Sequence, residues 1–179
     1  FAPQMATKLY GMLTGCAVTL INVPTALATA ICIGLVPTIS AAHMKNSPEQ
    51  MNYASMLGLR MGSLIGFPCA AGMSLLSTEI INLLYRIPAD EIAITGRILS
   101  LSALTILPFT LVQATTGVLQ GVGKQKIPMY SLVAGVACKI VLNFLLVAVP
   151  SLNVYGAPVS SMVCYTVSTA VNLWYIGVK

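Results

Sequence analysis

Lys139 and Asn143 stand one helical turn apart, and Lys139 is the sole charged side chain between Ile127 and Val178. An amide beside an ammonium orients it or shares its ligand. Gln113, Thr116 and Gln120 form a second polar face at helical spacing. The first apolar run adds Thr19, Asn22 and Thr29, and the last adds Thr166 and Asn172. Gathered around water, these faces would line a polar cavity; taken singly, each reads as an interhelical hydrogen bond.

Catalysis is poorly served. The single histidine, His43, and the adjacent Asp90 and Glu91 fall in expected loops, and no H-E-x-x-H, G-x-S-x-G or Walker pattern occurs. The five cysteines, Cys16, Cys32, Cys69, Cys138 and Cys164, sit in apolar runs without a C-x-x-C pair, which fits helix packing rather than metal binding or a disulfide. No enzyme, metal or cofactor is expected. Nine Lys/Arg against four Asp/Glu give a net charge of +5, too few cations for a nucleic-acid surface.

The elements that must carry these side chains are membrane helices. Hydrophobic residues make up 57% of the chain and charged ones 7%, against roughly 25% charged in soluble domains. No charge appears in Tyr10–Ala42, Met61–Thr78, Ile98–Gly123 or, beyond Lys139, Ile140–Val178. Crossing a hydrocarbon core takes about 20 apolar residues, and backbone groups there must bond internally. The pattern predicts an all-α polytopic bundle with spans at 13–42, 57–85, 92–122, 127–149 and 154–178, joined by loops at 43–56, 86–91, 123–126 and 150–154. Lys139 then lies near the bilayer midplane. A charge there is costly and by default functional, unless its stem snorkels to the interface.

Tyr10, Tyr53, Tyr85, Tyr130, Tyr155, Tyr175 and Trp174 fall near predicted span ends, where amphipathic rings prefer to sit; only Tyr165 is mid-span. Lys45, Arg60, Lys124, Lys126 and Lys179 share one side and Lys8, Arg86 and Arg97 the other, so the first side is expected to be cytoplasmic. Arg60 is read as an anchor or a headgroup contact at that face, and Glu79 as a carboxylate near the outer one. Pro24, Pro37, Pro68, Pro108 and Pro158 lie within spans, the first four being candidate hinges. Gly58, Gly62, Gly66 and Ala70 form a small-residue stripe, and Gly11/Gly15 and Gly117/Gly121 two pairs, which predict close helix packing.

A resemblance emerges from Leu9-Tyr10-Gly11, Ile21-Asn22-Val23-Pro24-Thr25, Leu35-Val36-Pro37-Thr38-Ile39-Ser40 and Gly66-Phe67-Pro68. It continues through Gly117 to Lys124, Ile127-Pro128, Lys139 to Asn143 and Asn153 to Ala157. In their order and spacing these runs resemble the sporulation branch of the polysaccharide-biosynthesis proteins, in the multidrug/oligosaccharidyl-lipid/polysaccharide exporter superfamily that also holds the lipid II flippases. The resemblance covers essentially the whole chain. It implies a bacterial cell-membrane transporter with two six-helix lobes that moves a polyprenyl-pyrophosphate-linked sugar or peptidoglycan precursor by alternating access, for envelope or spore-cortex synthesis.

On that resemblance the chain corresponds to helices eight to twelve, and both of its ends read as cuts through a longer protein. Its partners would be the lipid-linked substrate, membrane lipids and an N-terminal lobe outside this chain. The Lys139, Asn143, Gln113, Thr116, Gln120, Thr19, Asn22 and Arg60 side chains would line the substrate or ion path. Lipid II flippases carry Ala-Asp-Arg where this chain has Ala17-Val18-Thr19, so Lys139 is the replacement source of positive charge, or a tethered cation in a sodium site. Two alternatives remain: a cation-coupled multidrug exporter, for which Glu79 is the only carboxylate candidate in a span, and a scaffold for envelope enzymes, which needs no wet interior.

Overall fold

A computed structural model describes residues 7, 10–85, 87–147 and 155–177. The expectations for Lys8, Arg86 and Lys179, and the loop at 150–154, lie outside the described residues. Among the described residues, seven helical elements follow in order: α1 (Met12–Met44), α2 (Pro48–Leu75), α3 (Ser77–Leu84), α4 (Ala89–Ala103), α5 (Ile106–Gly121), α6 (Lys126–Val147) and α7 (Gly156–Gly177). Among the described residues there is no strand, and the architecture is an all-α bundle.

Among the described residues, four segments are long and apolar enough to cross a membrane: Met12–Met44, Pro48–Leu75, Glu91–Gly121 and Lys126–Leu146. α7 also has 22 residues, about 33 Å of rise, but falls outside these four by composition. Its Ser160, Ser168, Thr169 and Asn172 are buried against neighbours rather than offered to lipid.

α5 occupies the centre, packed on α1, α2 and α7, while α6 lies mainly along α7. Small residues set these approaches. On α2, Ala54, Gly58, Gly62, Gly66 and Ala70 recur every four residues and are all buried. A Cβ on Gly58 would strike Leu35 of α1, one on Gly66 would strike the Thr110 hydroxyl of α5, and one on Gly62 would lie 3.3 Å from the Thr110 carbonyl oxygen. Gly117 and Gly121 of α5 receive the α1 backbone at Cys32 and Val36. Gly11 and Gly15 differ from the predicted pattern: nothing lies within 4 Å of where their Cβ atoms would be, so spacing alone did not make them a packing pair.

Helix ends have local causes. α1 stops in a Schellman motif: Asn46, at φ 48°, bonds back to His43, and Ser47 to Ala42. α5 stops the same way, with Gly123 at φ 78°, Gly123 N–H on Gln120 and Lys124 N–H on Leu119. α2 begins at Pro48, well inside the expected loop 43–56, because Pro at the first position and Glu49 in the first turn start a helix that its polar residues disguised. The predicted span 57–85 is divided at Leu76, and α3 is a short helix whose Ile81 packs with Met12, Ala17, Ile98 and Leu99.

Within the predicted span 92–122 the hydrogen-bond ladder is interrupted at Leu104–Thr105, although both residues keep helical dihedrals and the crossing Glu91–Gly121 runs on. Pro108 lacks the N–H that would bond the Leu104 carbonyl, and its ring crowds that carbonyl, so the helix restarts at Ile106 with Pro108 in its first turn. Pro24 and Pro37 sit inside α1, and Pro68 inside α2, with the helix running on through each. α1 opens with a π-helical turn, Met12–Ala17, a form that recurs at functional sites.

Candidate functional site

Two cavities open between α1, α5, α6 and α7. The first, about 630 Å³, is lined by Asn22 and Thr25 of α1, Ser102 and Thr105 at the α4–α5 break, Lys139 and Asn143 of α6, and Ser161 of α7, with apolar side chains between them. Its polar groups differ in how they are held. Asn143 accepts from Ser160 at 2.5 Å, which fixes its amide against α7. Thr25 donates to the Ile21 and Asn22 carbonyls within its own helix. Ser102 Oγ is buried without a partner among the described residues, an unmet polar atom in the wall. Lys139 is half-buried, and no hydrogen bond or ion pair to it occurs among the described residues.

The second cavity, about 440 Å³, is lined by Gln113, Thr116 and Gln120 of α5, with Gln125 and the first turns of α6. Gln113 donates to the Thr29 hydroxyl at 3.0 Å, and Thr29 passes the chain on to the Thr25 carbonyl at 2.9 Å. α5 is thereby tied to α1 at the edge of the cavity. Among the described residues, no Asp or Glu lines either cavity.

Six of the eight path candidates therefore gather in two neighbouring cavities: Lys139, Asn143 and Asn22 in the first, and Gln113, Thr116 and Gln120 in the second. Thr19 lies on an exposed face, its hydroxyl turned back to the Gly15 carbonyl at 2.8 Å, and lines neither. Arg60 is exposed on α2 and also lines neither, because the stripe at Gly58, Gly62 and Gly66 turns the other face of that helix inward. Ser102, Thr105, Ser161, Phe109 and Tyr165 escaped sequence reasoning. Only the mid-span place of Tyr165 had signalled anything unusual.

A family model described as Lipid II flippase MurJ matches residues 14–179. The Lipid II flippase MurJ of Bacillus subtilis (strain 168) is 30% identical over 124 residues, covering 69% of this chain and 23% of that protein. Stage V sporulation protein B of the same organism is 27% identical, covering 96% of this chain and 33% of its own length. The chain thus spans a third or less of the length of these curated relatives. No solved structure matches significantly.

Proposed function

The chain belongs to the lipid II flippase MurJ family of multi-pass bacterial membrane proteins, and from that premise we propose that it forms helices eight to twelve of a flippase. The flippase moves a polyprenyl-pyrophosphate-linked sugar or peptidoglycan precursor across the cell membrane by alternating access. The two polar cavities form part of the path for the head group, while the prenyl chain stays in lipid. The N-terminal lobe of the longer protein faces them, and the chain itself performs no catalysis.

One observation carries this reading: Lys139 lines an open cavity with several polar groups and, among the described residues, no carboxylate. A cation at the centre of a span costs about 3 kcal/mol, whereas an interhelical hydrogen bond in a membrane returns about 0.6 kcal/mol. Packing alone does not offset that cost, but an arriving pyrophosphate does, through charge and through the donors of Lys139 and Asn143. A cavity of this size around Lys139 also argues against a scaffold with a dry interior. A cation-coupled exporter built on this segment lacks its carboxylate, since Glu79 is exposed on α3 and lines neither cavity.

The test is made in the full-length protein. Lys139→Met keeps the stem and removes the charge, so it should fold and reach the membrane, yet lose transport by about tenfold or more. Lys139→Arg should keep part of the activity, because it remains cationic with a wider planar head. Full transport by Lys139→Met in a flipping or complementation assay would reduce Lys139 to an interfacial anchor.

A further inference from the structure

Phe109 of α5 and Tyr165 of α7 belong to the walls of both cavities. Their rings meet edge-to-face, with centroids 5.2 Å apart and planes at 77°. Both side chains are half-buried, as a partition between two spaces should be. Tyr165 is also the tyrosine placed farthest from a span end, so interfacial anchoring does not explain it.

Phe109 stands next to the discontinuity in the central helix. Its amide bonds the Thr105 carbonyl at 3.1 Å, the Thr105 amide bonds Ser102 in a tighter turn at 3.0 Å, and Pro108 offers nothing to Leu104. The turn bearing Phe109 thus hangs on a broken ladder rather than on a continuous one. Breaks of this kind absorb dihedral change when helices move. α7 reaches the same turn twice, through Tyr165 on the Phe109 ring and through the Thr169 hydroxyl on the Pro108 carbonyl at 3.4 Å.

We propose that Phe109 and Tyr165 form a gate between the Lys139 cavity and the Gln113 cavity, with the Leu104–Thr105 break as its hinge. The rings close the polar path at mid-depth, and rotation of the first turn of α5 parts them. This deepens the flippase reading and rests on it for its purpose, but the gate itself can be read with no substrate present.

In full-length protein whose native cysteines have been replaced, a single cysteine is placed at Ser161, in the Lys139 cavity, or at Thr116, in the Gln113 cavity. A charged, membrane-impermeant methanethiosulfonate is applied from the face onto which the Lys139 cavity opens. Ser161→Cys should react readily and Thr116→Cys about tenfold more slowly, the ratio expected of a gate open about a tenth of the time. Phe109→Ala or Tyr165→Ala should bring Thr116→Cys to within about twofold of Ser161→Cys, as a gate open half the time or more would. Tyr165→Phe keeps the ring pair and should leave it slow.

An unchanged Ser161→Cys rate reports that a variant is folded; if the alanine variants disturb it, Phe109→Leu, which keeps apolar bulk without the flat ring, takes their place and should open the path. Equal rates at the two positions in the parent protein would overturn the proposal. So would a slow Thr116→Cys in every folded ring truncation. Neither result depends on Lys139, so failure of the gate and failure of the pyrophosphate contact are separable.

Discussion

Asn172 is fully buried on α7, its amide donating to the Thr115 hydroxyl at 3.2 Å while its carbonyl oxygen has no partner among the described residues. Thr115 also donates to carbonyls of its own helix at 2.9 and 3.0 Å. Removing the amide therefore orphans nothing and deletes an unmet acceptor. Asn172→Leu should shift stability by less than about 1 kcal/mol, in line with the small worth of interhelical hydrogen bonds in membranes; a melting curve in detergent measures it. A large loss would mean that the free oxygen has a partner in the assembled protein. At this scale the sequence was partly legible. The 113, 116, 120 spacing put three side chains on one face, and they do line one cavity. Periodicity relates residues within a helix but says nothing of which neighbour that face meets, so Thr19 and Arg60 looked equivalent to Asn22 until the helices were assembled.

Between helices, glycine governs how closely axes approach, and the contacts rank the glycines. A Cβ on Gly135 of α6 would lie 2.6 Å from the Cys164 backbone carbonyl of α7, which cannot swing aside. On Gly62 it would lie 3.3 Å from the Thr110 carbonyl, a deficit of a few tenths of an ångström. Gly135→Ala should thus cost about 1–3 kcal/mol by forcing α6 from α7, and Gly62→Ala less than about 1 kcal/mol. Thermal stability in detergent should follow that order, and the reverse order would show that the α2 seam, not α6–α7, is the tighter one. The α2 stripe was readable from its four-residue repeat. The break in the central helix was not, since Pro24, Pro37 and Pro68 lie within helices that run on while Pro108 coincides with a break. What distinguishes them is the tertiary packing around each, which a single sequence does not encode at one position.

For the molecule as a whole, charge-free runs located the long helices because lipid leaves the backbone no other choice. The proposed topology makes a simple prediction. A cysteine at Ser47, between α1 and α2, should be labelled only from the cytoplasm, and one at Ala89, where α4 begins, only from outside; labelling of both from one side would remove the crossing between them. The charge-free run Ile140–Val178 marked α7 as a span but did not say which neighbour its polar groups would meet. Its serines and Asn172 point into the bundle, with Ser168 bonded to the Ser131 carbonyl of α6 at 3.0 Å and Ser160 to Asn143. That has a consequence for biogenesis. A segment that carries hydroxyls and an amide enters a bilayer at less cost when a helix already there accepts them. α6, made just before it, is that helix, so the two should leave the insertion machinery as a hairpin, and damage to the α6 surface should first be felt as failure of α7 to integrate.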